Sequence, residues 1–256
     1  MKNIILCADG TGNKGGTTPD SNIYKIYNAI DLHHDNIKQI IFYDNGVGTQ
    51  TNKYIRSASG AFGFGFKTNV SDLYEFLARN YVPGDNIYMF GFSRGAATIR
   101  ACNGFIHRCG LIKGQDKRNK KLKEDVKNTM RVYASFQDNH KPLSDIERNE
   151  LLPRIEFHKE TPKIKFIGVW DTVSALGFPE RTDKIGLGLR VLDTAFKLSG
   201  KAADKIIPHK FYNYELTPNV EKACQALAID DARTSFWPMI WNEEADNAQK
   251  TDIHQV

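Results

Sequence analysis

Cysteine is scarce: Cys7, Cys102, Cys109 and Cys224 are the only four in 256 residues, and none stands in CxxC spacing. A disulfide scaffold and a paired-thiolate metal site are both excluded. Cys7 falls in a strand-like apolar run and Cys102 in a helix-like one. These are the contexts of buried, reduced thiols, and they favour folding in a reducing compartment without excluding later export. No HxxxH spacing occurs, so the sequence offers no metal centre and calls for no cofactor. No apolar run approaches the ~18–20 residues of a membrane-spanning helix. The run at residues 4–8 is five residues long and ends at Asp9, too short for a signal-peptide core, and reads as a strand of the mature fold. Internal repeats and low-complexity linkers are also lacking. Neither sign of charge dominates: 35 Lys and Arg stand against 30 Asp and Glu, a net charge of +5. With 41% hydrophobic and 25% charged residues, the chain has the composition of a globular protein. Its length suits a single α/β domain over residues 1–256.

The excess positive charge is local. Between Lys113 and Lys127 seven Lys and Arg residues face three acids. Lys120, Lys121 and Lys123 have helical charge partners close by in Glu124 and Asp125. The stretch reads either as a solvated helix face or as a contact for an anionic surface such as lipid headgroups. No recognised nucleic-acid module accompanies it, and no nucleic-acid partner is expected.

Apolar runs alternate with helical periodicity. Strands are expected at 4–8, 39–43, 86–90 and 163–170, and a further strand begins at 253–256. Helices are expected at 22–32, 70–81, from just after Ser93 to 108, through the basic stretch to 138, and at 218–229. Residues 174–210 read as irregular. Residues 56–66 interleave Gly60, Gly63 and Gly65 with Phe62, Phe64 and Phe66, a pattern suited to an acyl pocket or lid and equally to loop or core packing. Such alternation predicts a mostly parallel central sheet with helices on both faces. Sites in such sheets form at the carboxyl ends of the strands, where Asp9, Asp44, Ser93 and Asp171 all fall.

The sharpest chemical signal is Gly91-Phe92-Ser93-Arg94-Gly95, a GxSxG between the apolar run Ile87-Tyr88-Met89-Phe90 and the small-residue run beginning Ala96-Ala97. A strand that turns abruptly into a helix holds the serine at the apex, and glycines on either side leave room where side chains would collide. The helix start behind the serine favours negative charge. Ser93 is therefore a candidate nucleophile, with a plain helix N-cap as the alternative. A serine hydroxyl needs a base, usually a histidine oriented by a carboxylate, and the chain order in this arrangement is Ser, acid, His. Asp171, after the apolar run ending Gly168-Val169-Trp170, is the candidate acid, again with an N-cap role as the alternative. The histidines fit less well. His33, His34, His107, His140 and His158 precede the acid. His209 and His254 follow it, neither in a convincing context, and the preferred reading is that the base is absent from residues 1–256. The oxyanion of an acyl-transfer intermediate would be held by the amide of Arg94 and by the loop at Gly10 and Thr11.

Several segments together resemble a known family: Ala8-Asp9-Gly10-Thr11-Gly12-Asn13, Tyr43-Asp44-Asn45-Gly46-Val47-Gly48-Thr49, Gly60-Ala61-Phe62-Gly63-Phe64-Gly65 and Pro83-Gly84-Asp85 leading into the GxSxG. Further on come Gly168-Val169-Trp170-Asp171-Thr172-Val173 and Ala226-Leu227-Ala228-Ile229-Asp230-Asp231-Ala232-Arg233 with Phe236-Trp237-Pro238. In this order they resemble the α/β-hydrolase catalytic domain of type VI secretion phospholipase effectors, the first of the lipase effector families. The resemblance implies a carboxylic-ester hydrolase of phospholipase A type, with Ser93 as nucleophile and Asp171 as acid. It also implies that Gln255 and Val256 open a strand leading to a Gly-x-His-Ser-Asp segment that holds the family's histidine. On that basis the domain is incomplete at its C-terminal side, with the last part of the sheet missing. A lipid or other ester substrate, contact with a membrane surface, and an immunity or secretion partner are the expected partners. The expected location is the cytoplasm of the producing cell, with export that uses no signal peptide. The rival reading is a degenerate, non-catalytic hydrolase-fold module that binds a partner or a membrane surface.

Two decoys fall on physical grounds. Gly10-x-Gly12-x-x-Gly15 matches a dinucleotide fingerprint, but that motif needs a helix to open at once, and Pro19 intervenes. Asp9-Gly10-Thr11 resembles an aspartyl phosphatase start, but the position of its second carboxylate holds Cys7.

Overall fold

The apolar run near the N-terminus becomes β1 (Asn3–Ala8). Ile4, Leu6 and Ala8 turn to one face and Ile5 and Cys7 to the other, all buried, as the two-residue period of a strand demands. Five more strands join it: β2 (Gln39–Asp44), β3 (Asn86–Phe92), β4 (Ile164–Trp170), β5 (Lys222–Ala226) and β6 (Asp252–Gln255). They form one sheet in the order β2-β1-β3-β4-β5-β6, and every pairing is parallel. This is a computed structural model describing residues 1–10, 12–17, 19–33, 36–46, 59–136, 141–173, 212–230, 238–244 and 251–256, without the side chains of 59–64. The architecture is that of an α/β-hydrolase-like fold, as expected.

The chain moves outward from β1 to β2 and then returns to the other side of β1 to lay down β3. The strand order therefore reverses between β1 and β3. At such a switch the loops leaving the two strands diverge and leave a crevice at their carboxyl ends. The loop at Gly10 and the turn at Ser93 border that crevice.

One face of the sheet carries α2 (Ser59–Asn80), α3 (Arg94–Cys109) and α4 (Asn119–Ser135), and the other carries α1 (Asn22–Ala29). α1 is capped by Ser21, whose hydroxyl accepts from the Tyr24 amide. α3 is buried along its whole length from Gly95 to Cys109, wedged between the sheet, α2, α4 and the segment around Tyr212. A short α5 (Asp145–Leu151) follows, fixed by a capping box between Ser144 and Glu147.

Two expectations are corrected. Residues 218–229, expected as a helix, contain β5 instead. Ala223, Ala226 and Ala228 favour helix locally, but the slot beside β4 is filled by an alternating segment in which Ala223 and Gln225 are buried. Packing on both faces outweighs a propensity difference of under about 1 kcal/mol per residue. The helix expected at 70–81 begins at Ser59 and takes in Gly60, Gly63 and Gly65. Its buried stripe of Phe66, Val70, Leu73, Tyr74 and Leu77 seats it in the core and holds it in helix there. Phe66 packs edge-on against Tyr212, 5.1 Å between ring centroids, so it belongs to the core rather than to a lid. Phe62 and Phe64 lie outside the described side chains.

The basic stretch contributes α4, with Leu122, Val126, Met130 and Tyr133 turned inward. Asp125 is fully buried and takes Lys117 Nζ at 2.6 Å and Lys121 Nζ at 2.9 Å. Among the described residues no helix is long and apolar enough to cross a membrane.

All four cysteines are free thiols; Cys7, Cys102 and Cys109 are buried and Cys224 is half-buried. Burial pushes the Cys7 and Cys109 thiols up to about 12 and raises Cys102 as well. With almost no thiolate at pH 8, these three should resist iodoacetamide in the native state, leaving Cys224 the first to react. Peptide mass spectrometry over a time course checks this order. Early alkylation of Cys102 would contradict the packing of α3.

Candidate active site

Ser93 joins β3 to α3 at φ 56 and ψ −121, a region that side-chain-bearing residues rarely occupy. Such a conformation costs roughly 1–3 kcal/mol and persists only where its surroundings impose it. Here they do. The Ser93 amide donates to the Trp170 carbonyl at 2.8 Å, and its carbonyl accepts from Ala97 at 3.3 Å and Val173 at 3.4 Å. The turn is thus strapped to the loop that follows β4. Ser93 makes no side-chain cap bond to α3, so the N-cap alternative does not describe it. Its hydroxyl stands at the head of a helix without serving the helix.

The flanking glycines are there for space. A Cβ on Gly91 would lie 2.6 Å from Ala96 Cα, and one on Gly95 would lie 2.5 Å from both the Ala8 carbonyl carbon and the Asp9 oxygen. The partners are backbone atoms of neighbouring elements, which cannot rotate away. Strand, turn and helix pack this closely only with glycine at both positions.

The loop after β1 reaches the same place. A Cβ on Gly10 would sit 2.7 Å from the Phe92 ring and 3.3 Å from Ser93 Cβ, so the Gly10 backbone runs directly against the turn. Asp9 holds this loop. Its buried carboxylate accepts from the Gly10 amide at 2.7 Å, Asn13 Nδ2 at 3.1 Å, Tyr43 Oη at 2.6 Å and the Ser21 hydroxyl. The first strand, the Gly-rich loop, the cap of α1 and the end of β2 are thereby tied to one residue. The Gly10 amide is engaged by Asp9, and Thr11 lies outside the described residues. Arg94 supplies the first amide of α3, next to Ser93.

Asp171 follows β4, the strand beside β3, and has φ 45. Its amide donates to the Ala226 carbonyl at 2.9 Å, and its Oδ1 accepts from the Ala228 amide at 2.6 Å. The carboxylate is held by backbone from the end of β5, not by a helix start. Among the described residues Oδ2 takes no hydrogen bond. Asp171 also lines a cavity of about 250 Å³ with Asn13, Ser21, Phe92 and Trp170. Ser93 and Asp171 thus stand at neighbouring strand ends.

Behind the Asp171 loop lies a network that no local sequence pattern marks. Arg100, fully buried on α3, donates from Nε to the Tyr214 carbonyl at 2.7 Å and from Nη1 to the Met239 carbonyl at 2.6 Å and Gln225 Oε1 at 3.3 Å. Its guanidinium lies 4.8 Å from the centroid of the Trp241 ring. Gln225 Oε1 also accepts from the Thr172 hydroxyl at 3.2 Å, and the Met239 amide donates to the Thr172 carbonyl at 2.8 Å. Burial brings the Arg100 pKa down to about 10, still charged at neutral pH. An arginine six residues after Arg94 in an apolar helix carries no sequence signature; only the fold reveals its acceptors.

The described histidines do not converge on Ser93. His107 is in the last turn of α3, about 20 Å along the helix from its start. His158 packs edge-on against Tyr81, and burial lowers its pKa. His33 is exposed on the loop after α1. His254 is on β6, three strands from β3, with Nε2 3.0 Å from Asp252. His34, His140 and His209 lie outside the described residues. Asp44, at the end of β2, has its carboxyl raised to about 7 by burial and by the nearby charge of Asp72. Among the described residues no group of His, Cys, Asp and Glu could hold a metal ion.

Comparison with known proteins assigns the chain. It is 34% identical over 194 residues to an uncharacterised protein of Saccharomyces cerevisiae, YEL023C, a match covering 69% of this chain and 27% of that protein. The crystal structure of an uncharacterised protein from Pseudomonas aeruginosa superposes with a TM-score of 0.44 at 13% identity, over 99% of this chain and 40% of that one. The chain thus spans well under half the length of either relative. Residues 2–256 match the family described as T6SS, phospholipase effector Tle1-like, catalytic domain, and the chain belongs to that family.

Proposed function

We propose that this chain is the ester-hydrolysing part of a phospholipid-cleaving enzyme, with Ser93 as nucleophile and Asp171 as the carboxylate that orients its base. The observation that carries this reading is the Ser93 backbone. A non-glycine residue is held in a strained conformation at the strand-order reversal, with its hydroxyl unused by the helix it precedes. Strain of this kind is retained where it positions a reacting group. In this reading Ser93 Oγ attacks the acyl carbon while a histidine takes its proton. The intermediate's oxyanion is held by backbone amides, and the histidine then protonates the leaving alcohol. The Arg94 amide is one oxyanion donor. The Gly10–Thr11 loop is the source of the other, with Gly10 giving the clearance against the turn. No described histidine stands at Ser93, so the imidazole comes from elsewhere in the polypeptide. Family membership supports a lipid substrate.

The test is covalent. A fluorophosphonate probe should form one adduct on the folded protein, mapping to the peptide that holds Ser93, and heat-unfolded protein should form none. An adduct on another serine, or none on the native chain, would overturn the assignment. That no described histidine stands at Ser93 also gives the binding-only reading a foothold. An adduct at Ser93 without turnover by the full-length polypeptide would favour that second reading.

A further inference from the structure

The positive charge of α4 has no part in the site at the sheet edge. With Leu122, Val126, Met130 and Tyr133 turned to the core, Lys120, Lys123, Lys127 and Arg131 share one outward flank at helical spacing, and all are exposed. Beside them on α2 stands Lys67. Burial, and then the charges of Arg131 and Lys127, hold its pKa below the ordinary value. Cations are therefore crowded here rather than paired one to one with acids. The nearby acids are few. Asp125 is already taken by two lysines, Glu124 lies beside the flank, and Asp72 and Glu75 approach Lys123.

Next to the flank is a cavity of about 580 Å³ between α4 and residues 151–155. Its lining mixes apolar Val132, Leu151 and Ile155 with cationic Lys121, Arg131 and Arg154 and two acids, Glu124 and Asp125, of which Asp125 is neutralised by Lys117 and Lys121. Leu151 is 45% exposed at its rim. The mixture suits a molecule with an anionic head and an apolar body. It does not suit a single-stranded nucleic acid, because the described flank carries no exposed aromatic ring on which bases could stack. The surface also lies toward the site. α2 returns the chain from the carboxyl end of β2 to the amino end of β3, and Lys67 stands about 20 Å before its end. A six-residue strand is about as long, so Lys67 is level with the edge that holds Ser93.

We propose that the outward flank of α4, with Lys67 and the adjoining cavity, docks onto an anionic phospholipid bilayer. The cations meet headgroup phosphates, and the cavity accepts one headgroup with the start of its acyl chains. This rests on the reading of the chain as a phospholipid-cleaving enzyme, which must work at a lipid surface. The test, however, reads binding and not turnover. Full-length protein carrying Ser93→Ala, which leaves vesicles intact, is sedimented with vesicles of phosphatidylcholine alone or mixed with phosphatidylglycerol. Binding to the mixed vesicles only, released by salt, is expected. Each lysine at such a surface contributes roughly five-fold in affinity, so K120E/K123E/K127E should weaken binding by about 100-fold or more. The same three changes should leave fluorophosphonate labelling of Ser93 in the otherwise native chain unchanged. Equal binding to neutral vesicles, no binding to either, or an unaffected triple variant would overturn the proposal. So would tighter binding to a DNA duplex at matched phosphate. A failed labelling experiment would remove the hydrolase reading and leave the vesicle result to stand on its own.

Discussion

Ser93→Ala in the full-length polypeptide should lower kcat for ester hydrolysis by on the order of 10⁶. It should also leave stability within about 0.5 kcal/mol of the parent. The two halves of the expectation have separate causes. The rate falls because, among the described residues, no other hydroxyl stands at the junction of β3 and α3 to take the acyl group. Stability is spared because the Ser93 side chain makes no cap bond. An N-cap serine in the ordinary role would cost about 1 kcal/mol on replacement. Alanine would carry the same backbone strain, since that strain is imposed by the straps to Trp170 and Val173. Asp171→Asn should lose less, on the order of 10⁴, because it misorients the base without removing the nucleophile. Initial rates on a chromogenic short-chain ester and on phospholipid vesicles, beside urea unfolding, measure both quantities. Turnover within ten-fold of the parent would remove Ser93 from the mechanism. A stability loss of 1 kcal/mol or more would restore the cap role.

The second large effect is on the fold. Arg100→Met should destabilise the protein by about 3–5 kcal/mol and lower Tm by about 10 °C. Two opposing terms decide the sign. Removing a buried charge relieves its desolvation, and whole buried ion pairs replaced by apolar groups are often neutral or better. The acceptors of Arg100 are mostly backbone, however: the carbonyls of Tyr214 and Met239 stay when the guanidinium goes, each with one remaining donor, Trp241 Nε1 at 3.3 Å and Gln225 Nε2 at 2.9 Å. Losing three hydrogen bonds from a charged donor, at roughly 1.5–3 kcal/mol each, outweighs the relief. Gln225 would lose one of its two donors as well, retaining only Thr172. Thermal and urea unfolding of the variant would show this. A change under 1 kcal/mol would mean that the remaining donors, Trp241 Nε1 and Gln225 Nε2, suffice for both carbonyls.

These two residues show how differently parts of the site can be read. The turn at Ser93 was legible because such a turn demands a local pattern: an apolar strand, a glycine, the serine, another glycine and a helix. The clearances at Gly91 and Gly95 bear out the steric reason for that pattern. Asp9 and Asp171 were legible only as polar residues at the ends of apolar runs. That Asp9 ties its loop together with four hydrogen bonds needed Tyr43 and Ser21, which are distant in sequence. Arg100 was not legible at all, since its three acceptors come 114 to 139 residues later in the chain.

The same division runs through the fold. β1, β3, β4 and α3 were read correctly because buried elements of a parallel sheet are marked by near-continuous apolar runs. β5 was not, because Lys-Ala-Cys-Gln-Ala is short, small and without a period that separates strand from helix. What residues 1–256 determined alone was the alternation of strands and helices, the sharp turn at Ser93 and the buried state of Cys7 and Cys102, all of which follow from hydrophobicity and local sterics. Tertiary structure decided the strand order, with its reversal between β1 and β3. It also decided the meeting of the Gly10 loop with Ser93, the side of the molecule on which the α4 lysines gather, and the partners of Arg100. Hydrophobic pattern and backbone sterics act over a few residues and are written in neighbours. Charge, hydrogen-bond partnership and close approach act through space, and only the folded chain brings their members together.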